Sequence, residues 1–200
     1  MLLYYYPGAC SLAPHIVLLE AGIPHEIKKV DLQSKQVEGG GDFSKVSSKG
    51  YVPALRLDSG AVLTEGPAIM QYLADQRPQS GLLPPPGSLE RYRVIEWLSF
   101  IGSEIHKPFG AQFAPVAPEW KAGTLAQLKG RLAWTHGELA QKSYLVGERF
   151  SIADAYLFVV LGWAPHIGLD LGPWPALGAY LQRLASRPKV QEALKAEGLV

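Results

Sequence analysis

Gly81-Leu82-Leu83-Pro84-Pro85-Pro86-Gly87-Ser88 divides the chain into two parts that follow different rules. Three successive prolines lack backbone N–H groups and fix φ, so neither a helix nor a central strand runs through them. The segment reads as a stiff, extended linker. Before it, short apolar runs alternate with turns. After it, no strand-like alternation appears and apolar residues recur at helical spacing. This places one domain at 1–80, the linker at 81–88 and a second domain at 89–200.

In the first part, residues 2–6 read as a buried strand that Pro7-Gly8 breaks. Leu12 to Ala21 follow as a helix stopped by Gly22, and residues 25–31 as a second strand. A β-α-β unit of this kind has parallel strands joined by a right-handed crossover. Ser34 to Lys49 is a polar excursion holding Gly39-Gly40-Gly41 and a short helix near Asp42 to Val46. Val52 to Thr64 reads as a hairpin turning on Asp58-Ser59-Gly60. Thr64-Glu65-Gly66-Pro67 then opens a helix, since proline is pre-set for the first helical turn, and this helix ends near Arg77-Pro78. The order predicts an α/β N-terminal thioredoxin-like domain.

The second part carries Val94, Leu98, Ile101 and Ile105, then Leu125, Leu128, Leu132 and Leu139, then Ile152, Tyr156, Val159, Val160 and Trp163 at helical intervals. It predicts an all-α C-terminal helical domain. Ser151-Ile152-Ala153-Asp154 fits a capping box at one helix start.

Composition removes several function classes. The 200 residues are 48% hydrophobic, ample for two cored domains, and 19 basic residues against 18 acidic leave a net charge of +1. No basic run suggests a nucleic-acid partner, and no stretch approaches the ~20 apolar residues of a membrane span. One unpaired cysteine and no export signal point to the cytoplasm. Five scattered histidines give no metal-binding spacing, so no metal is expected.

That cysteine, Cys10, lies where the Tyr-rich strand turns toward the first helix. A cysteine at a helix start meets unpaired N–H groups that favour thiolate, which predicts a pKa below the usual ~8.5. A lone cysteine is equally an ordinary small buried hydrophobe. Ser99, Ser103 and His106 fall at i, i+4 and i+7, one polar stripe along a helix that His106-Lys107-Pro108 ends. Periodicity alone reads this stripe as close packing around serines with a solvated histidine.

Tyr5, Pro7-Gly8, Cys10-Ser11-Leu12, Pro14-His15-Ile16, Lys35, Val52-Pro53, Thr64-Glu65-Gly66, Ser103-Glu104 and His106-Lys107 together resemble a bacterial beta-class glutathione transferase. The likeness continues through Glu90-Arg91-Tyr92, Ala153 to Phe158, Trp163-Ala164-Pro165-His166 and Glu197-Gly198-Leu199. The order and spacing of these fragments are specific jointly, not singly.

The resemblance implies a homodimer that binds glutathione as co-substrate and a small hydrophobic electrophile in a cleft against the helices. It implies that Val52-Pro53 is a cis-proline turn presenting the Val52 backbone to the cysteinyl part of glutathione. An ordinary trans proline at a strand start is the other reading, since only ~5% of X–Pro bonds are cis. Glu65 would take the γ-glutamyl ammonium, Gly66 N–H the adjacent carboxylate, and Lys35 the glycyl carboxylate. Ser99, Ser103, Glu104 and His106 match positions at the thiol and peptide end. Cys10 would lie beside the glutathione sulfur and be able to form a mixed disulfide with it, with Ser11, Tyr5 and His106 as candidate donors. Tyr5, Phe109, Phe113, Trp163 and His166 are candidates to line the electrophile cleft.

Two other functions remain open on sequence. In one, Cys10 is the nucleophile of glutathione-dependent disulfide exchange or reductive dehalogenation, by a monothiol route because no second cysteine follows. In the other, the fold is a non-catalytic or transcription-associated scaffold. The chain also departs from the family pattern. Ser47-Ser48 stands where Asn-Pro is common, which loosens the loop, and Ser99 where Asn is common, which shortens a donor.

Overall fold

The computed structural model describes residues 1–200. Contacts divide them into two compact units, Met1–Leu83 with Arg187–Val200, and Pro84–Ser186. Residues 187–200, assigned on sequence to the helical part, therefore belong with the first unit.

The first unit is built on a four-stranded sheet of order β2-β1-β3-β4, from β1 (Leu2–Tyr5), β2 (Glu26–Lys29), β3 (Ala54–Arg56) and β4 (Val62–Thr64). β1 pairs parallel with β2, Leu3 opposite Ile27, and antiparallel with β3, Leu3 opposite Leu55; β3 pairs antiparallel with β4. This is the expected β-α-β plus hairpin, with each strand shorter than its apolar run. The pleat sends Leu2 and Tyr4 to one face, where Val30, Val37, Phe43, Val52 and Ala54 form a buried cluster.

Helices α1 (Leu12–Glu20) and α2 (Gly66–Gln76) pack against one another, and α8 (Pro188–Ala196) packs on α1. With neighbours on two sides, α1 buries every residue from Leu12 to Leu18, so its sequence is apolar all round except at His15 and not striped. Both ends of α8 are pinned. Arg187 makes a forked pair with Glu20, Nε to Oε1 at 2.8 Å and Nη2 to Oε2 at 2.9 Å. Past the other end, Glu197 accepts from His15 Nδ1 at 2.9 Å and from the Gly8 N–H at 3.0 Å. His15 and Glu197 are both fully enclosed, with side-chain exposures of 2% and 0%. Gly8 sits at φ +70°, which the turn requires of it, and the Leu199 side chain of the tail packs beside it.

The second unit comprises α3 (Leu89–Phe100), α4 (Lys107–Phe113), α5 (Pro118–Leu139), α6 (Ile152–Leu161) and α7 (Pro175–Ala185). Ser88 caps α3 through its Oγ, 3.3 Å from the Arg91 N–H. All ten residues of α6 are buried, which makes it the central helix of the unit. Each large apolar side chain on it contributes about 1.5–3 kcal/mol.

One acidic residue lies in that core. Asp154 accepts from the Leu145 N–H at 2.9 Å, the Ser151 N–H at 2.8 Å, Ser151 Oγ at 2.7 Å and Tyr180 Oη at 2.9 Å. The capping box read from sequence is present, and it is the anchor for a loop and for α7 as well. Burial pushes the Asp154 carboxyl up while the four donors pull it back, and burial pushes the Tyr180 phenol well up.

α3 and α4 are one continuous rod joined by a π-helical stretch, Ile101–His106, in which the Lys107 N–H reaches back to the Gly102 carbonyl. The helix expected to end at His106-Lys107-Pro108 instead continues to Phe113. Pro108 falls in the first turn of α4, where a missing N–H costs little against the wider turn before it.

Candidate active site

In the first unit the candidate groups gather at a turn and two loops. Ser11 Oγ closes the turn, accepting the Tyr6 N–H at 3.2 Å and donating to the Tyr6 carbonyl at 3.3 Å. The Ala9 N–H reaches the same carbonyl at 3.0 Å. With its proton committed there, Ser11 shapes the turn instead of donating to a ligand. Tyr5 is buried in β1 with its ring centroid 6.4 Å from that of His15, and burial, then the charges of Glu197 and Glu38, push its phenol up.

Cys10 precedes α1, which begins at Leu12, and its Sγ donates to the Val52 carbonyl at 3.4 Å. Its thiol is pushed up to about 11, where sequence predicts a lowered value. Burial outweighs the nearby backbone N–H groups of Cys10 and Ser11, and the Glu65 charge adds to the rise. Cys10 is therefore a neutral proton donor near pH 7.

Val52–Pro53 is cis, as the resemblance implies. Lys35 and Glu65 are the two non-glycine residues with left-handed backbone, at φ +59° and +69°. Such conformations cost of order 1–3 kcal/mol and collect at functional sites. Lys35 Nζ is steadied on the Gly50 carbonyl at 2.7 Å. Glu65 immediately precedes α2, and its Oε1 accepts from Lys49 Nζ at 2.5 Å and from Tyr51 Oη at 3.0 Å. These two donors hold the Glu65 carboxyl below its ordinary value, the Lys49 bond most of all. The Gly66 N–H opens the first turn of α2.

In the second unit the expected stripe is split. Ser99 and Ser103 are exposed and bond back to their own helix, Ser99 Oγ to the Ile95 carbonyl at 2.9 Å and Ser103 Oγ to the Ser99 carbonyl at 3.1 Å. His106 instead turns to α6, its Nδ1 2.6 Å from Tyr156 Oη and its ring centroid 4.9 Å from Trp163. The π-helical turn causes this, since one extra residue per turn moves His106 off the face that α-helical spacing assigns it. Burial pushes the His106 imidazole down, so it is neutral at pH 7 and not solvated. Phe109 and Phe113 lie edge-on to Trp163, with centroids at 6.1 and 6.2 Å, whereas His166 is exposed. Glu104 is tied to Arg131 on α5, Oε2 to Nε at 2.8 Å.

A cavity of about 590 Å³ in this unit is lined by Trp97, Phe100 and Trp134, and none of the candidate residues borders it. No group of three or more His, Cys, Asp or Glu side chains is arranged to hold a metal, and no helix is long and apolar enough to cross a membrane.

Sequence reasoning missed Lys49, Tyr51 and Tyr156. The first two stand in the polar excursion and beside the hairpin with nothing periodic to mark them. Tyr156 reads as one more apolar position of α6.

The glutathione S-transferase N-terminal domain family matches residues 8–76 and its C-terminal domain family residues 101–188. Glutathione S-transferase GstA of Escherichia coli O157:H7 is 50% identical over the full length of both chains. The chain belongs to the glutathione S-transferase family. A sphingomonad glutathione S-transferase complexed with glutathione superposes with TM-score 0.96 at 53% identity, with both chains fully covered. The bacterial beta-class glutathione S-transferase of Sphingomonas chungbukensis does so at 0.96 and 52%, again over both full chains. The fold is therefore that of a beta-class glutathione transferase, glutathione is the substrate, and transfer is the activity.

Proposed function

We propose that the chain holds glutathione through Lys35, Val52, Pro53, Glu65 and Gly66, with Ser99, Ser103, Glu104 and His106 contributing from the helical unit, and conjugates its thiolate to small hydrophobic electrophiles. Cys10 carries this reading. Its sulfur lies 3.4 Å from the Val52 carbonyl, on the strand end where a cysteinyl backbone would pair as an added strand. Lys35 supplies a fixed cation for the glycyl carboxylate, and Glu65 an anion for the γ-glutamyl ammonium.

In the reaction a glutathione sulfur lone pair forms the new bond to the electrophilic carbon, and the displaced group leaves with the electron pair of the carbon bond that breaks. Once the cysteinyl N–H of glutathione takes over the Val52 carbonyl, the neutral Cys10 thiol is released from that carbonyl and donates its one hydrogen bond to the attacking sulfur, favouring its anion. His106, uncharged and braced by Tyr156, offers its remaining ring nitrogen as donor or acceptor. Trp163, Phe109 and Phe113 supply apolar surface for the electrophile. A homodimer, a cytoplasmic location and a detoxifying role complete the reading, and Cys10 forms a mixed disulfide with glutathione by exchange with oxidised glutathione, whose other half leaves as the free thiol. The high thiol pKa argues against Cys10 as the nucleophile of a disulfide-exchange enzyme.

Cys10→Ala tests the assignment. Conjugation of glutathione to an activated aryl halide is expected to fall by about tenfold and to persist, the loss being the lower end of what a charge-assisted hydrogen bond is worth. Complete loss of turnover with glutathione binding intact would make Cys10 the nucleophile. Absence of glutathione binding by calorimetry in the unaltered chain would leave only a scaffold.

A further inference from the structure

Lys49 and Tyr51 both donate to one oxygen of Glu65, Oε1, and no protein donor reaches Oε2. The carboxylate is thus fixed in place by two neighbours with half its capacity open. Lys49 spends one of its three N–H donors on Oε1, and its side chain is 44% exposed, leaving the other two to solvent. An open anion and an open cation therefore stand side by side at the entrance of α2. Position 66 is glycine, so its backbone N–H is the one donor that residue offers there, and Pro67 offers none.

On the glutathione reading above, the group that arrives at Glu65 is the γ-glutamyl end, which bears an ammonium and a carboxylate on the same carbon. We propose that Lys49 is a specificity-determining residue of this site: its ammonium receives the γ-glutamyl α-carboxylate while Glu65 Oε2 receives the α-ammonium. The two ion pairs lie antiparallel, so each protein charge is balanced by its neighbour before and after binding. A zwitterion satisfies both, whereas a peptide bearing only one of the two charges leaves the other protein group unmatched. Tyr51 keeps the carboxylate turned so that Oε2 stays open. Lys49 is in this view more than a lid on Glu65, because a lid would have to leave before the ligand could bind.

Calorimetric binding of two peptides separates these cases: glutathione, and 4-aminobutyryl-cysteinylglycine, which keeps the ammonium and lacks the α-carboxylate. Lys49→Met is expected to weaken glutathione by about tenfold, in line with a hydrogen bond to a charged group, and to leave the carboxylate-free peptide within about twofold. KM for glutathione rises by the same factor with kcat unchanged, as for an interaction made equally in ground and transition states. Lys49→Arg restores most of the affinity. Equal losses for both peptides, or tighter glutathione binding by Lys49→Met, overturn the assignment while leaving the glutathione reading intact. If the unaltered chain binds neither peptide, that reading fails and this inference with it. The Lys49 side chain is half-exposed, so folding of the variants is not at stake.

Discussion

The groups proposed to hold glutathione in the first unit are largely set by its backbone: a carbonyl beside a cis proline, a helix-opening N–H, and a lysine and a glutamate held at positive φ. Those proposed in the second unit are side chains on one continuous rod that carries a π-helical turn. The two designs fail differently. Backbone placement depends on ties to residues far along the chain, such as Glu197 on Gly8, whereas the rod depends on helical register and on the core of α6 behind it. Each tie can be cut separately.

The largest effect is expected at Asp154. Asp154→Ala strands the Leu145 and Ser151 N–H groups and the Tyr180 hydroxyl in the core, and should cost about 3–5 kcal/mol in urea unfolding. A loss under about 1 kcal/mol would show that the second unit has no such anchor. Next is Cys10, whose labelling by a disulfide reagent should rise about tenfold per pH unit from pH 8 and level off near its pKa of about 11. The sign for stability follows. The fold favours the protonated thiol, so stability is unaffected below the ordinary value of about 8.5 and falls as pH rises from there through about 11. Cys10→Ala should remove that alkaline slope. A labelling plateau below pH 8.5 would mean that N–H groups, not burial, govern the turn.

Glu197→Gln should come third, at about 1–2 kcal/mol, because the amide keeps one acceptor for Gly8 or His15 but not two. It should also raise Cys10 labelling at fixed pH, which Asp154→Asn, acting in the other unit, should not. The smallest effect is a gain. Ser47 Oγ is buried without a partner, so Ser47→Ala should raise stability by up to about 1 kcal/mol in thermal unfolding. A loss there would mean the hydroxyl is satisfied after all.

The β-α-β unit, the hairpin, the helix opening at Gly66 and the capping box were legible because each rests on local signals: proline, glycine, a turn triplet, a Ser-x-x-Asp spacing. The direction of the Cys10 shift was not, since the N–H groups near a helix start are visible in sequence but the depth at which the turn lies is not. His106 escaped for another reason. Helical spacing assumes an unvarying turn, and nothing in Ile101-Gly102-Ser103-Glu104-Ile105 announces a wider one. Lys49 and Tyr51 become meaningful only when the hairpin brings Glu65 beside them, and the membership of α8 in the first unit only when its packing on α1 is known.

Because α8 completes a unit whose other residues end at Leu83, that unit cannot finish folding in the order in which a ribosome delivers it. The apolar flank of α1 awaits residues 187–200, and the intervening helices emerge before them. Synthesis thus reverses the map order of the two units: the helical one can close while the sheet-bearing one still lacks α8.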